Sequence, residues 1–433
     1  MQPLLSIGVG QAGVQQTDAL WQLMCAEHGV GECGLLDAAD HDNCGDDVRQ
    51  RLFQRTRVDR LVPHCVMVDT DADAIDALRR GPRRDLYHPA RLLHGVDGRD
   101  GSSTFAAGQS VGRPRVLETL DSVRLLLEQC DAPCAGLLLA RASGGGTGAG
   151  LGSLLLQSFG DDEFGDSVPL IDLCTVPSER LGDAVTAPYN AVFAACDSMA
   201  HAAACVLFEN EAMYRCCTDA LHVRSPDYAQ LNQVWAHVVS SVTAPFRFDK
   251  TATTHLGNAC RALTKPFRNF LVPHFAPLLP RRQIEHERLL PVDLTRHIFD
   301  ARCSQTSADV LRGRSTIGTW LIYRGISEDD TRSMSATLAD ALSAFPSLAG
   351  EPTLRYSHVE QVSCGIAGGV IAPAPRSLCA LTNSSASARI LRAQLRKFDR
   401  LLSKRAFLHW YEAEGIELAD FVEARNIIHK SLQ

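Results

Sequence analysis

The chain has 433 residues, 45% of them hydrophobic and 21% charged, and its 43 basic and 50 acidic residues give a net charge of −7. This length predicts two or three domains with room for a large core, while the acidic excess argues against general nucleic-acid binding, which requires basic residues that neutralise phosphates. No apolar run approaches the length of a membrane span and the N-terminus lacks a signal-peptide pattern, so we expect a cytosolic protein without a membrane span.

Strand-like and helix-like segments alternate through the first half of the chain. Strands are predicted at 4–9, 65–68, 136–140, 168–176 and 205–208, and helices at 14–28 and from about Pro188. This alternation predicts a parallel sheet with helices on both faces, and the ligands of such sheets lie at the carboxyl ends of the strands. Five residues follow predicted strand ends and can converge on one site: Gly10, Asp69, Gly144, Asp183 and Asn210.

The segment Ala142-Ser-Gly-Gly-Gly-Thr-Gly-Ala-Gly-Leu-Gly152 is the most informative stretch of the chain. It lies between an apolar run at 135–140, which predicts a buried strand, and 151–159, which predicts the start of a helix. Glycines and small hydroxyls in this position expose backbone N–H groups and direct a helix N-terminus at an anion, in practice a phosphate. The spacing matches neither the P-loop nor the dinucleotide fingerprint, and a glycine-rich turn by itself can equally be an ordinary turn.

The second half is predicted to be mixed and then helical. An amphipathic stretch at 228–246 leads to short strands at 319–323 and 361–371 and a helix at 291–303, and residues 387–432 have a helical pattern broken at Glu414-Gly415. The 15 cysteines are scattered without a second Cys-x-x-Cys-like pair. In a reducing compartment this predicts buried or free thiols rather than zinc ligands.

Short motifs along the whole chain resemble tubulins. They are Gly10-Gln-Ala-Gly-Val-Gln15 with Trp21 and Glu27-His-Gly29, the glycine loop, Pro188-Tyr-Asn190, Asn210-Glu-Ala-Met-Tyr214, Pro226-Asp-Tyr228 with Leu231-Asn232, Phe246-Arg-Phe-Asp249, Pro291-Val-Asp-Leu-Thr295 and Lys404-Arg-Ala-Phe-Leu-His-Trp-Tyr411. The resemblance implies a tubulin-like α/β fold: a GTP-binding domain at 1–210 built on the parallel sheet, a central helix with a mixed α/β intermediate domain at 211–385, and a C-terminal helical pair at 386–433. It also implies GTP or GDP and Mg²⁺ as ligands, and other tubulins and microtubules as partners in the cytoplasm and cytoskeleton.

The resemblance further assigns roles around the nucleotide. The phosphates would be met by Gly10, Gln11, Ala12, Gly13, Ser103, Thr104, Ser143, Gly144, Gly145, Gly146, Thr147 and Gly148. Magnesium would be met by Asp69 and Asp71, which offer hard oxygen ligands, together with Gln11. The ribose would face Asp183, and the base would be read by the amides of Asn210 and Asn232 and stacked on Tyr228. Each residue also has an ordinary alternative: Asp69 and Asp71 as solvated turn residues, Asn210 as a helix cap, and Tyr228 as a core aromatic.

Several positions depart from the tubulin pattern. The loop that completes GTP hydrolysis on a neighbouring subunit is replaced by Lys250-Thr-Ala-Thr-Thr-His255, and Asn258 stands where the alpha-type chain carries its catalytic glutamate. An amide cannot polarise the attacking water as a carboxylate does, and His255 is as well explained as a surface histidine. Ser103 and Thr104 replace paired asparagines near the γ-phosphate, Ala187 replaces an acidic ribose contact, and no glutamate-rich tail follows Ser431.

These features leave three functions open. The first is a GTP-binding structural protein of centrioles or basal bodies, resembling the delta-type tubulin with the zeta type nearly as good, that acts in assembly of triplet microtubules and cilia. The second is a self-assembling lattice GTPase, although the altered loop predicts at most weak GTP hydrolysis. The third is a GTP-dependent binding module for alpha or beta tubulin.

Overall fold

The computed structural model describes residues 2–36, 45–95, 101–130, 132–161, 168–178, 184–248, 255–265, 268–284, 286–287, 289–312, 315–327, 354–362, 364–366 and 368–432. Two predictions lie outside the described residues, namely the ribose-facing role of Asp183 and the loop residues 250–254. Among the helices within these ranges, none is both long and apolar enough to span a membrane.

The sequence folds into the alternating strands and helices that its pattern predicts. The strands are β1 (Leu4–Val9), β2 (Phe53–Arg55), β3 (Leu61–Pro63), β4 (Cys65–Asp69), β5 (Leu92–His94), β6 (Gly136–Ala142), β7 (Leu170–Val176), β8 (Ala204–Glu209), β9 (Phe270–Ala276), β10 (Thr316–Arg324), β11 (Leu354–Val359) and β12 (Ser377–Ser384). The helices are α1 (Gly10–Glu27), α2 (Asp46–Arg49), α3 (Asp73–Arg80), α4 (Phe105–Glu128), α5 (Gly152–Asp161), α6 (Ala187–His201), α7 (Asn210–Arg215), α8 (Tyr228–Phe248), α9 (Leu256–Arg261), α10 (Arg281–Ile284), α11 (Pro291–His297), α12 (Ala388–Ser403), α13 (Leu408–Glu412) and α14 (Leu418–Ser431).

Ten of these strands form one sheet, in the order β11-β10-β12-β9-β8-β7-β6-β1-β4-β5, and β2 pairs with β3 separately. Neighbouring strands are parallel except where β12 runs against β10 and β9. The sheet is continuous between the two halves of the chain, because β9 pairs with β8 at Cys205–Phe270 and Val206–Leu271. This confirms the predicted parallel sheet and adds a mixed extension to it.

Helices cover both faces of the parallel part, which explains why its strands are continuous apolar runs. In β1, Leu5, Ile7 and Val9 pack with residues of α4 and α5. Leu4 belongs to the opposite core, which contains residues of α1 and α8. A third core lies beneath α6 and the C-terminal helices α12 and α14. The carboxyl ends of the parallel strands therefore open at one edge, between two helical layers.

A buried charge network joins α1, α8 and β10. Glu27 at the end of α1 pairs with Arg247 of α8 at 2.8 Å and with Arg324 of β10 at 2.7 Å, and all three side chains are fully buried. The Ser240 hydroxyl donates to the same carboxylate at 2.7 Å. Burial by itself raises the pKa of Glu27, but Arg324 and Arg247 outweigh that effect and lower the pKa to about 2. The network thus fixes the long helix α8 between the two halves of the chain.

Three predicted element boundaries are wrong. The first helix begins at Gly10 rather than at residue 14. The N–H groups of the first helical turn have no intrahelical acceptor in any sequence, so glycines destabilise a helix little at that position. Residues 361–371 are not a strand where they are described; Gly368 has a φ of +72°, and glycines weaken strands. The helix predicted at 291–303 ends at His297, after which the Asp300 N–H bonds the His297 carbonyl in a tighter turn.

Candidate phosphate-binding site

The predicted strand-end residues gather at the carboxyl edge of the sheet. Gly10 follows β1, Asp69 ends β4 and Gly144 lies two residues after β6. Since β1 lies between β4 and β6 in the sheet, these three loops are neighbours. Asn210 follows β8, two strands beyond β6 on the same edge. The described members of the predicted set therefore lie at one edge of the sheet, as expected.

The glycine loop is held by its flanks and leaves amide donors available. Ser143 is anchored to β7, because its N–H donates to the Thr175 carbonyl at 2.9 Å. Ala149 N–H donates to the Gly145 carbonyl at 3.2 Å as the chain enters a π-type turn at Thr147–Leu151. Within the described ranges, the N–H groups of Gly144 and Gly145 have no acceptor. Free adjacent amides ahead of a helix are the donor set that a phosphate requires.

The glycine loop is interlocked with the loop that precedes α4. The N–H of Gly146 donates to the Ser102 carbonyl, and a methyl group added at Gly146 would lie 2.2 Å from the Gly101 carbonyl oxygen. Only a glycine allows this approach. Thr104 is buried and caps α4 by accepting a hydrogen bond from Ala107 N–H at 3.1 Å, whereas Ser103 is exposed. Of the two predicted phosphate contacts in this loop, Ser103 is thus the accessible one.

Thr147 connects the glycine loop with the end of β4. Its hydroxyl lies 2.6 Å from the hydroxyl of Thr70, and both side chains are buried. This contact ties the glycine loop to the neighbouring strand end that carries Asp69. A hydroxyl has one donor and two acceptor sites, so the bond to Thr70 leaves the predicted phosphate contact of Thr147 untested.

The N-terminus of α1 approaches the same loop. Gly10 has a φ of +71°, and a Cβ there would lie 3.2 Å from the Gly148 nitrogen. The helix has no capping side chain at this end. The positive end of its dipole is therefore directed at the loop, and no capping side chain accepts from its first N–H groups. Gln11 is exposed at this position, Ala12 is half-buried and Gly13 is buried.

Two carboxylates lie at the end of β4, where magnesium is expected. Asp69 is buried and accepts a hydrogen bond from Asp71 N–H at 3.4 Å. Asp71 is exposed and accepts from Ala72 N–H at 2.6 Å through one oxygen, Oδ1. Hard carboxylate oxygens beside an exposed glutamine amide form a ligand set that suits Mg²⁺ and its bound waters. The donor chemistry of Asp69, Asp71 and Gln11 therefore fits the predicted ion.

The predicted base-binding residues lie on the other side of the β8 end. Asn210 is half-buried at the start of α7, and Tyr228 is the first residue of α8 with 49% of its surface exposed. Asn232 is buried one turn after Tyr228, on the same face of α8. Because α7 packs against both β8 and α8, these residues lie near the end of β8, on the side of the glycine loop away from Asp69. An aromatic ring with an exposed face is the kind of group on which a base stacks.

Asn190 is a site residue to which the sequence analysis gave no role. It is fully buried on α6, donates to the Gly144 carbonyl at 2.9 Å, and accepts from Phe105 N–H at 2.7 Å and from the Tyr411 hydroxyl at 2.6 Å. One side chain thus links the glycine loop, α4 and the C-terminal helices. Its only signal in the sequence was membership of the Pro188-Tyr-Asn190 motif.

Asn258 and His255 lie at the opposite edge of the sheet. Their helix α9 packs against Pro169 and Gly136, where β7 and β6 begin. Asn258 is exposed, and His255 is half-buried with its Nε2 3.3 Å from the Gln2 amide. Neither residue can therefore reach the phosphate loop of its own chain. Asn258 is accessible from outside the molecule at this edge.

A cavity of about 700 Å³ opens along this same edge, beside the start of β9. Its lining includes Arg268, Arg389 and Arg392 together with several serines. The cavity is separated from the glycine loop by the length of the strands, and it does not belong to the candidate phosphate site.

Comparison with known proteins gives concordant results over almost the full chain. Residues 3–218 match the family described as Tubulin/FtsZ family, GTPase domain. The chain is 33% identical over 430 residues to the tubulin alpha-1B chain of Physarum polycephalum, which covers 98% of this chain and 94% of that protein. It is also 33% identical over 437 residues to the tubulin alpha-2B chain of the same organism, and 32% identical over 430 residues to the nucleomorph tubulin alpha chain of Guillardia theta, with the same two coverages.

Proposed function

The chain belongs to the tubulin family, and from that premise we propose that it is a GTP-binding cytoskeletal subunit with little capacity to trigger hydrolysis on its neighbour. The observation that carries this proposal is the contrast between the two edges of the sheet. One edge has free amides in a glycine loop beside paired carboxylates, and the other presents the amide of Asn258.

The nucleotide edge supports GTP or GDP with Mg²⁺ as the ligand. The amides of Gly144 and Gly145 and the N-terminus of α1 are suited to phosphate oxygens. Bound magnesium would neutralise phosphate charge, and Asp69 and Asp71 would hold it from the end of β4. Asn210, Asn232 and Tyr228 would receive the base, and Asp183 the ribose.

The opposite edge supports slow hydrolysis. A subunit stacked on α9 would bring its phosphates to Asn258, whose neutral amide cannot act as a base towards water. His255, the residue before α9, carries an imidazole, but its Nε2 is already 3.3 Å from the Gln2 amide. Other tubulins and microtubules are therefore the proposed partners, through this edge, in the cytoplasm and cytoskeleton.

We further propose a specialised role of the delta type, with the zeta type as the near alternative, in assembling the triplet microtubules of centrioles and basal bodies. The segment Asn232-Gln-Val-Trp-Ala-His237 and the altered loop before Asn258 support it. Tagging the chain at its own expression level tests this role. Signal confined to centrioles or basal bodies is expected, whereas signal along all cytoplasmic microtubules would contradict it.

The nucleotide that co-purifies with the protein tests the biochemical proposal. After denaturing extraction and chromatography, we expect mostly GTP, because the site binds but its partner edge does not promote hydrolysis. Mostly GDP, together with turnover that rises with protein concentration, would favour a self-assembling lattice GTPase. Absence of any guanine nucleotide, with no binding on addition of GTP, would reject the nucleotide site itself.

A further inference from the structure

A buried ion pair lies beneath the glycine loop. Arg141 is the penultimate residue of β6 and Asp172 lies in β7, and neither side chain is exposed. The guanidinium engages both carboxylate oxygens, with Nε 3.0 Å from Oδ1 and Nη2 2.9 Å from Oδ2. Ser198 of α6 donates its hydroxyl to the same carboxylate at 2.7 Å. The pair is therefore a bidentate ion pair whose geometry is set by two strands and a helix.

The remaining donors of Arg141 reach the elements that carry the loop. Nη1 donates to the carbonyls of Gly148 and Ala149, at 3.4 and 3.3 Å, and to the Ser153 hydroxyl at 3.2 Å. Nη2 also donates to the Ala194 carbonyl at 3.2 Å. One planar group thus bridges the π-type turn, α5 and α6.

The position of these contacts decides what they do. Gly148 and Ala149 direct their carbonyls inward at the guanidinium, and this fixes the peptide planes of the turn that follows the free amides of Gly144 and Gly145. Only arginine offers enough donors in one rigid plane to hold these carbonyls and a carboxylate together. Asp172 balances the charge, so the pair acts on the phosphates through backbone geometry rather than through net attraction.

A metal at this place is ruled out by the same contacts. Oxygen and sulfur atoms of Asp172, Cys174 and Cys205 lie within 4.8 Å of one another and are buried. Both oxygens of Asp172 are already engaged by the guanidinium, however, and a cation would be repelled by it. Burial also raises the pKa of the Cys205 thiol well above its usual value, so a thiolate ligand is disfavoured.

We propose that Arg141, held by Asp172, is the positioning residue of the phosphate loop, and that it sets nucleotide affinity without touching the nucleotide. This inference rests on the proposed GTP-binding function. It predicts that the loop loses its shape without the guanidinium, even in a variant whose fold has been stabilised again by removing Asp172 as well.

Removing both charges separates the role of Arg141 in shaping the loop from its role in stabilising the fold. Arg141→Met alone should lower both the thermal midpoint and the affinity for a fluorescent GTP analogue, because it leaves Asp172 buried and uncompensated. The double variant Arg141→Met/Asp172→Leu should recover most of the thermal midpoint. Its affinity should remain at least about tenfold weaker than that of the unaltered protein, a change of about 1.4 kcal/mol. Backbone amides of residues 144–149 should also exchange their hydrogens faster in the double variant.

A matched control is the other buried network, which lies at the far end of α1. Glu27 is 17 residues from Gly10, roughly 26 Å along the helix, so Arg324→Met should lower the thermal midpoint with an affinity change below about threefold. Arg141→Lys provides a variant that keeps the charge but cannot form the bidentate pair, and it should show the weakened affinity in a folded protein. Recovery of full affinity in the double variant, or full affinity in Arg141→Lys, would overturn the proposal. Failure of the unaltered protein to bind the analogue would instead overturn the proposed function.

Discussion

Glycines of the phosphate loop differ in how much room surrounds them, although they look alike in sequence. A Cβ at Gly146 would lie 2.2 Å from the Gly101 carbonyl oxygen and 2.4 Å from that of Thr104. Among the described residues, the one atom within 4 Å of a Cβ at Gly145 would be the Ser102 carbonyl oxygen, at 3.8 Å. The loop is therefore constrained against its neighbour at one glycine and open at the adjacent one.

Gly146→Ala should accordingly weaken GTP binding far more than Gly145→Ala. Backbone atoms must shift to admit the first methyl group, and overpacking of this kind costs about 1–3 kcal/mol, which corresponds to roughly 5- to 150-fold in affinity if the whole cost falls on the bound state. Titration of both variants with a fluorescent GTP analogue measures the difference. Equal affinities would show that contact between the two loops does not shape the site.

Buried histidines at three separate places make the fold sensitive to acid. Burial lowers the pKa values of His64, His237 and His274 to about 4, from an ordinary value of 6.5. These groups stay neutral in the folded protein while the unfolded chain takes up protons. Their contribution to stability is complete above about pH 6.5 and is lost as the pH falls towards about 4.

The free energy of unfolding should therefore fall between pH 6.5 and 4, and His274→Gln should make that fall shallower. One histidine that titrates only in the unfolded state contributes a slope of about 1.4 kcal/mol per pH unit in this window. Urea unfolding at half-unit pH steps gives the slope for both proteins. An unchanged slope would mean that His274 is protonated in the fold.

At the scale of whole elements, the C-terminal helices are attached to the nucleotide site by side chains of α6. Asn190 accepts a hydrogen bond from the Tyr411 hydroxyl of α13 at 2.6 Å while it donates to the glycine loop. Its neighbour Tyr189 donates to the Ala406 carbonyl at 3.2 Å and stacks edge-on against Phe398 and Phe421. The outer helices thus rest on the residues that shape the phosphate loop.

Tyr411→Phe should lower stability by about 1 kcal/mol, since one buried hydrogen bond is lost. Asn190→Ala should lower the free energy of unfolding by more, about 2–4 kcal/mol, because it leaves several buried polar groups without a hydrogen-bond partner. Chemical unfolding followed by the combined fluorescence of the four tryptophans measures the stability of both variants. Tyr356→Phe is the matched control, since Tyr356 is 41% exposed, and it should change stability by less than about 0.5 kcal/mol. Equal effects of all three substitutions would contradict this link.

Local patterns predicted the strand ends but not the contacts between them. Asp69 and Gly144 could be placed because each follows an apolar run, and parallel strands end at a common edge. The roles of Asn190 and Arg141 depend on partners such as Tyr411 and Asp172, which lie 221 and 31 residues away in the chain. No periodicity encodes such partners, so these residues could be assigned roles only once the strands and helices had been packed.

At the scale of the molecule, the sheet separates the edge of the proposed nucleotide site from the edge proposed to meet a neighbour. The phosphate loop follows β6, whereas α9 lies where β6 and β7 begin. Under the proposed function, any chemistry at Asn258 would therefore act on another subunit's nucleotide. This polarity gives head-to-tail stacking a defined direction.

Restoring a carboxylate at this edge should restore hydrolysis across the contact. Asn258→Glu, mixed with tubulin partners, should raise GTP turnover by about tenfold or more, since a positioned base contributes about 10²–10⁴-fold in favourable cases. Asn258→Gln is the matched control and should leave turnover at its original level. Turnover of the glutamate variant that equals that of the control would mean that α9 does not face a neighbour's phosphates.

The narrow pairing between β8 and β9 has a mechanical consequence. Two residue pairs join these strands, whereas five join β9 to β12, so we expect the sheet to bend more readily along the β8–β9 line. The ionic link from Glu27 to Arg324 crosses from one side to the other and acts as a brace. A twist that begins at the phosphates should thus turn the far half of the sheet about the β8–β9 pairing, and the buried network of Glu27, Arg247 and Arg324 should limit how far it turns.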